Sequence, residues 1–241
     1  MKTRIIALLI LGLGLNSAIA QKAVKHQNHV WVSTNNIIRV TDRIGVSSAI
    51  HVRRNDFLKD PNFYFLLNGL TYWVNPSIRV TAGYIHMWNA RNVDADLCYA
   101  NERRPFQELV VKSNYLKATT MFRVRNEQRF KEVMATEQED RYFKYNTRVR
   151  MLLQAKIPIT KGANPLQFKI VNELMINLGE HDVFNTFDQN RFSIGVQQKF
   201  LPNWSADLCY MGVYQQLSAG DSYNMNHTLR LFFFGTIDLR K

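Results

Sequence analysis

The stretch FKYNTRVRMLLQAKI, Phe143 to Ile157, sets Phe143, Tyr145, Val149, Met151, Leu153, Ala155 and Ile157 in alternation with Lys144, Asn146, Arg148, Arg150, Gln154 and Lys156. A period of two marks a strand, because successive side chains point to opposite faces. Strands of a soluble sandwich alternate as well, but their polar face meets bulk water and is rarely loaded with arginine opposite a face free of charge. The pattern fits a wall between hydrocarbon and water. Similar segments recur along the chain. The expected fold is therefore all-β: a single transmembrane antiparallel up-and-down β-barrel of about twelve strands, ten to twelve being the range, with long extracellular loops and short periplasmic turns.

The N-terminus reads as a secretory leader. Lys2 and Arg4 form a basic start, Ile5 to Leu15 an apolar run, and Ala18-Ile19-Ala20 a small-x-small cleavage site. Residues 1–20 are the expected cleaved signal peptide and 21–241 the barrel domain. Beyond Gln21 no run approaches the roughly 18 apolar residues that a membrane helix requires. No Pro/Gly/Ser linker or change of composition divides the mature chain, so one domain is expected. Mean hydropathy is −0.25 although 46% of residues are apolar, as interleaving of the two classes demands.

The formal charge of +12 falls to +10 when Lys2 and Arg4 leave with the leader. Nucleic acid is not the expected partner, because the basic residues are spread over alternating strand positions instead of one patch. Cys98 and Cys209 permit one disulfide in an oxidising compartment; two free thiols are the equal alternative.

Period-two reading gives strands over Val30 to Val40, Ile44 to Arg54, Phe63 to Val74, Ile78 to Trp88, Arg104 to Lys112 and Lys117 to Phe130. Further strands follow over Tyr142 to Ile157, Leu166 to Leu178, Asp188 to Phe200, Trp204 to Gln216 and Asn224 to Leu239. Tight turns are expected at Thr41-Asp42, Asn75-Pro76-Ser77, Ser113-Asn114-Tyr115, Lys161 to Pro165 and Pro202-Asn203. Longer links rich in Asp, Glu and Asn are expected at Asn89 to Arg103, Lys131 to Arg141 and Gly179 to Phe187. Parity is awkward: with the Thr41 turn in the periplasm, the strand beginning near Val30 starts outside, while the mature N-terminus should lie within. Either Ala23 to His29 adds a strand or that segment threads the lumen. Phe143, Tyr145, Trp73, Trp88, Trp204 and Tyr214 lie toward strand ends, where interfacial girdles sit.

The face opposite the apolar one lists the expected lumen: Arg104, Glu108, Arg123, Arg125, Glu127, Arg129, Arg148, Arg150, Glu173, Arg191 and Asp207 form its charge network. Arg39, Arg53, Arg79, Lys112, Lys144, Lys169 and Lys199 add to it. Guanidinium–carboxylate ladders would brace a narrow barrel from inside, and about twelve strands leave a lumen that side chains largely fill. The alternative is an anion-selective conduit, since rings of Arg and Lys attract anions. Expected partners are outer-membrane lipid, an anionic small solute or lipid headgroup at any unpaired charge, and the barrel assembly machinery during biogenesis.

The segments Asn101 to Glu108, Phe122 to Phe130, Asn172 to Asn177 and Phe187 to Phe192 with Gly195 resemble the recurring motifs of the domain of unknown function 2490 family. The resemblance covers nearly the whole mature chain and implies an outer-membrane β-barrel of uncharacterised activity; it supplies no substrate. The C-terminus departs from a barrel ending on an aromatic residue, because Gly235 to Lys241 follow Phe232, Phe233 and Phe234.

Enzyme readings are weaker. A lipase-like barrel needs a serine within reach of a histidine, and His51 near Ser47 and His227 beside Asn226 and Thr228 are the strand histidines to test. His86 is expected to face lipid. No Gly-x-Ser-x-Gly element is present. Glu180, His181 and Asp182 read as a solvated turn before a metal site, and neither a phosphate loop nor a paired-cysteine motif points to a cofactor. A soluble periplasmic ligand-binding barrel is the remaining alternative.

Overall fold

The computed structural model describes residues 23–93, 96–133, 142–179, 186–217 and 220–240. The leader assigned to residues 1–20 and the Glu180, His181, Asp182 turn lie outside them. Among the described residues there is no helix, and eleven strands close into one barrel. They are β1 (Ala23–Arg39), β2 (Ile44–Asn55), β3 (Asp60–Trp73), β4 (Ile78–Val93), β5 (Asp96–Tyr115), β6 (Ala118–Val133), β7 (Tyr142–Pro158), β8 (Gln167–Leu178), β9 (Phe187–Leu201), β10 (Trp204–Gln216) and β11 (Ser222–Asp238).

Consecutive strands pair antiparallel throughout, as in a meander. The seam does not. β1 pairs with β11 in parallel along its whole length, from Ala23 opposite Ser222 to Arg39 opposite Asp238. Eleven strands fall within the expected ten to twelve, while the wholly antiparallel closure is corrected to a mixed barrel, and the parity problem disappears. Ala23 to His29 neither adds a strand nor threads the lumen; it lengthens β1, whose outward hydrogen-bonding edge β11 satisfies over the same span. Closure of this kind leaves no unpaired strand edge. Beyond the strands, Leu239 N donates to Arg39 O at 2.8 Å, and Arg240 donates to Asp238 and across the seam to Asp42 at 2.6 and 2.7 Å. Those two carboxylates raise the Arg240 guanidinium above its ordinary pKa.

An odd strand number puts the chain ends at opposite rims. The C-terminal rim, where β11 ends, carries the connections 40–43, 74–77, 116–117, 159–166 and 202–203. Most are the expected turns, but Ser113 to Tyr115 continue β5, and the reversal falls at Leu116, whose φ is 53°. At the N-terminal rim, Asn89 to Val93 and Asp96 to Arg103 belong to β4 and β5, not to a loop. Their Asp and Asn content reflects strands that run on past the apolar belt into a polar setting. Lys131 to Val133 likewise extend β6, and most of the two remaining expected loops, residues 134–141 and 180–185, lie outside the described residues.

The two faces are inverted relative to a water-soluble protein. Leu70 and Leu153 are each 62% exposed on the outer surface, among a belt that includes Val46, Ile50, Leu66, Val80, Leu109, Ile194, Leu208 and Leu229. Val124, Val149 and Phe168 share that face with them. Inside, Glu127 and Asp207 are fully buried. The interior is not uniformly charged, however. Ala49, Leu67, Ile85, Met87 and Phe106 pack under β2 to β5, and Trp31, Met211 and Val213 pack with Phe232 near the seam. Gly69 and Gly83 face each other across β3 and β4, and a Cβ on Gly83 would stand 2.7 Å from the Phe106 ring. The missing side chain of Gly83 makes room for that ring. Trp73, placed in the girdle by its position, turns inward at the C-terminal rim: the Arg39 guanidinium lies 4.8 Å from its ring centroid, and Gly45 clears space for it.

Candidate functional site: a charged lumen beneath a vestibule

Alternation on β5 to β9 delivers the charged side chains into one layer across the barrel. Glu127, from the middle of β6, accepts from Arg148 at 2.6 Å and Arg150 at 2.8 Å, with Arg104 at 3.5 Å and Arg125 at 3.7 Å. Glu173 on β8 accepts from Arg123 at 2.5 Å and Arg150 at 2.8 Å, and Arg191 stands 3.7 Å away. Glu108 takes two hydrogen bonds from Arg125, at 2.6 and 2.8 Å, on one oxygen. Toward the N-terminal rim Glu102 bridges Arg104 and Arg129 at 2.9 and 2.7 Å; toward the other, Asp207 holds Lys169 and Arg230, both at 2.5 Å. With Arg123 Nε 3.7 Å from Glu108 as well, each of these carboxylates serves two or more cations; Asp188 pairs with Arg148 at 2.9 Å. Charge-assisted pairs of this geometry stiffen an interior but repay a large desolvation cost, so they define one arrangement more than they add stability.

The charge network read from the sequence, Arg104 to Arg191, sits in this layer, and Asp207 on β10 pairs apart from it toward the C-terminal rim. Three further members come from elsewhere. Glu102 lies in the segment read as a loop. Asp188 enters through a β-bulge: Met175 pairs with Gln189 and Ile176 with Phe187, so Asp188 is the additional residue and turns inward beside Gln189. A bulge re-aims a side chain in a way that strict alternation cannot reveal. Arg230 had the signal, since Leu229 and Leu231 flank it, but it stands in a run otherwise dominated by apolar residues.

The histidines separate. His51 is buried, stacked 4.0 Å from Phe65, with Nε2 3.1 Å from Asn35 Oδ1. Ser47 is bonded instead to Thr71 at 2.7 Å. His227 faces outward at the seam, where Tyr210 and His26 lie 2.6 and 2.9 Å from its ring nitrogens. His86 is on the outer face against Trp88, with ring centroids 4.5 Å apart. Cys98 and Cys209 are free thiols. No cluster of His, Cys, Asp and Glu with metal-binding geometry occurs among the described residues.

The ionic layer separates two cavities. One, of about 420 Å³, opens between Lys156, Gln197, Lys199 and Trp204 at the C-terminal rim. The larger, of about 930 Å³, is a vestibule at the N-terminal rim. Its floor and one wall are the Arg104, Arg129, Arg148, Arg150 group; the facing wall is Trp31, Phe63, Phe65, Ile85 and Met87, with Arg53 among them.

Fold and lumen together define a closed β-barrel with an ionic interior. A family model described as Protein of unknown function (DUF2490) matches residues 28–224, and the chain belongs to that family. Searches of curated proteins and of solved structures returned no match. The segments read in the sequence as resembling the family contribute Glu102, Arg104 and Glu108, Arg123 to Arg129, Glu173, and Asp188 with Arg191 to the interior ion pairs.

Proposed function

We propose that this chain is exported by its leader, inserted by the barrel assembly machinery and resident in an outer membrane. There it is a barrel closed to conduction, structural or ligand-binding in role and not an enzyme. The observation that carries the reading is the inversion of sidedness. Leu70 and Leu153 are largely uncovered outside while Glu127 and Asp207 are sealed inside. A soluble chain seldom exposes an apolar surface wider than a few hundred Å². The polar residues on the outer face agree with a hydrocarbon setting: Gln107 bonds Asn126 and Gln128 at 3.2 and 3.0 Å, and Asn172 and Asn190 exchange two bonds of 3.2 Å. Amides facing lipid have no water to turn to and must satisfy each other. The ionic layer supports closure to ions, because most of its guanidinium groups are engaged by carboxylates across the lumen.

Two measurements test this. The protein should fractionate with outer membranes, migrate as a heat-modifiable band and give β-rich circular dichroism in detergent; a protein that stays folded and soluble without detergent overturns the membrane assignment. In planar bilayers the reconstituted barrel should show no discrete conductance, and it should not hydrolyse phospholipid. Stepwise anion-favouring currents would replace the sealed barrel with a conduit, and lipid hydrolysis abolished by His51→Ala or His227→Ala would replace it with an enzyme.

A further inference from the structure

Arg53 differs from the arginines of the ionic layer. It is 5% exposed, yet among the described residues no carboxylate lies within ion-pair distance, and its Nε and Nη1 atoms have no hydrogen-bond partner. It is held by rings instead: its guanidinium carbon lies 3.5 Å from the centroid of Trp31 and 4.4 Å from that of Phe63. A second cation shares the Trp31 ring, since the Arg191 guanidinium carbon is 5.0 Å from the same centroid. Arg191 is itself only loosely neutralised, 3.7 Å from Glu173. Cation–π contact of this sort stabilises a desolvated cation by less than its burial costs.

The unmet donors converge. His29, also buried, has neither ring nitrogen bonded, and Trp31 Nε1, a donor only, has no acceptor. His29, Trp31, Arg53 and Arg191 all line the vestibule. Beside them the wall turns apolar through Phe63, Phe65, Ile85 and Met87. A small inorganic anion would satisfy the donors and leave that wall wet. The volume of about 930 Å³ lies in the roughly 300–1,000 Å³ range of small-molecule sites.

We propose that the vestibule binds an amphiphilic organic anion, a carboxylate or phosphate head taken by Arg53, Arg191 and the Trp31 indole N–H, with a compact apolar body against Phe63, Phe65, Ile85 and Met87. Both guanidinium groups contact the same ring and line the same cavity, and Arg binds such heads through paired N–H donors. The inference concerns the vestibule alone and goes beyond a sealed envelope barrel.

The test is calorimetric titration of the full mature chain in zwitterionic nanodiscs, using phenyl phosphate, inorganic phosphate and phenol as probes. Heat-modifiability of the same preparation reports that the barrel is formed, so absence of binding by a heat-modifiable sample counts against the site and not against the fold or its membrane setting. Phenyl phosphate should bind one to one, with inorganic phosphate and phenol each at least about tenfold weaker. Arg53→Met should weaken phenyl phosphate by about thirtyfold while raising the unfolding temperature of the empty barrel, because it removes an uncompensated buried cation without opening a cavity. Arg191→Met should weaken binding as well. No saturable binding of phenyl phosphate, or binding unchanged in both variants, overturns the proposal. Displacement by phosphatidic acid placed in the disc would assign the head to a lipid, and phenyl phosphate binding that phosphatidic acid leaves unchanged would assign it to a free solute.

Discussion

Glu127 shows what a single residue does in this interior. Fully buried, it faces four guanidinium groups, the nearest at 2.6 and 2.8 Å. Removing its charge strands those cations, and breaking a buried pair costs about 3–5 kcal/mol. Glu127→Gln is therefore expected to lower the unfolding free energy of the refolded barrel, measured by urea titration, by that amount, and Glu127→Gln with Arg150→Leu to recover part of it, the signature of coupling between contacting residues. Additive losses in the double variant would refute the coupling. On the other face, Val149→Arg should cost roughly 2–4 kcal/mol if that position meets the bilayer midplane, measured in the same unfolding assay; a neutral effect would argue against lipid there. Both positions were legible in the sequence, because one residue of slip reverses every side chain and the apolar face fixes the register. Arg53 was legible as an inward residue, but not as an unpaired one. Its ring partners Trp31 and Phe63 are its direct cross-strand neighbours on β1 and β3, whereas pairing with a carboxylate depends on which strands lie opposite across the lumen.

At the scale of the element, errors of reading came where strands depart from simple alternation. β4 and β5 run well beyond Trp88 and Arg104 at the N-terminal rim, and their rim segments carry the polar composition of a loop. β3, FYFLLNGLTYW, is apolar on both faces because its inner face packs against Phe106 and Arg53. The β9 bulge is the sharpest case, since it alone brings Asp188 to Arg148. Asp188→Asn should cost about 1.5–3 kcal/mol, the worth of a hydrogen bond to a charged group, and leave Arg148 held by Glu127 alone. Unfolding of detergent-solubilised variants checks this. An effect below about 0.5 kcal/mol, the level of an ordinary surface substitution, would mean that the bulge serves only to bend the strand.

At the scale of the whole molecule, the parallel seam decides where the termini lie. β1 and β11 run in the same direction over their whole length, so the chain enters the barrel at one rim and leaves it at the other. The C-terminal rim bears the tight reversals at 40–43, 74–77, 116–117 and 202–203, and short turns belong to the periplasmic side of bacterial barrels. Lys25 should then face the cell exterior and Arg240 the periplasm. With Cys98→Ser and Cys209→Ser as background, Lys25→Cys should react with a membrane-impermeant maleimide on intact cells, and Arg240→Cys only after the outer membrane is opened. The reverse pattern would keep the parallel seam and invert the barrel in the membrane. Reaction of both positions from the same side would refute the seam itself, because only an even, wholly antiparallel barrel returns its two ends to one rim.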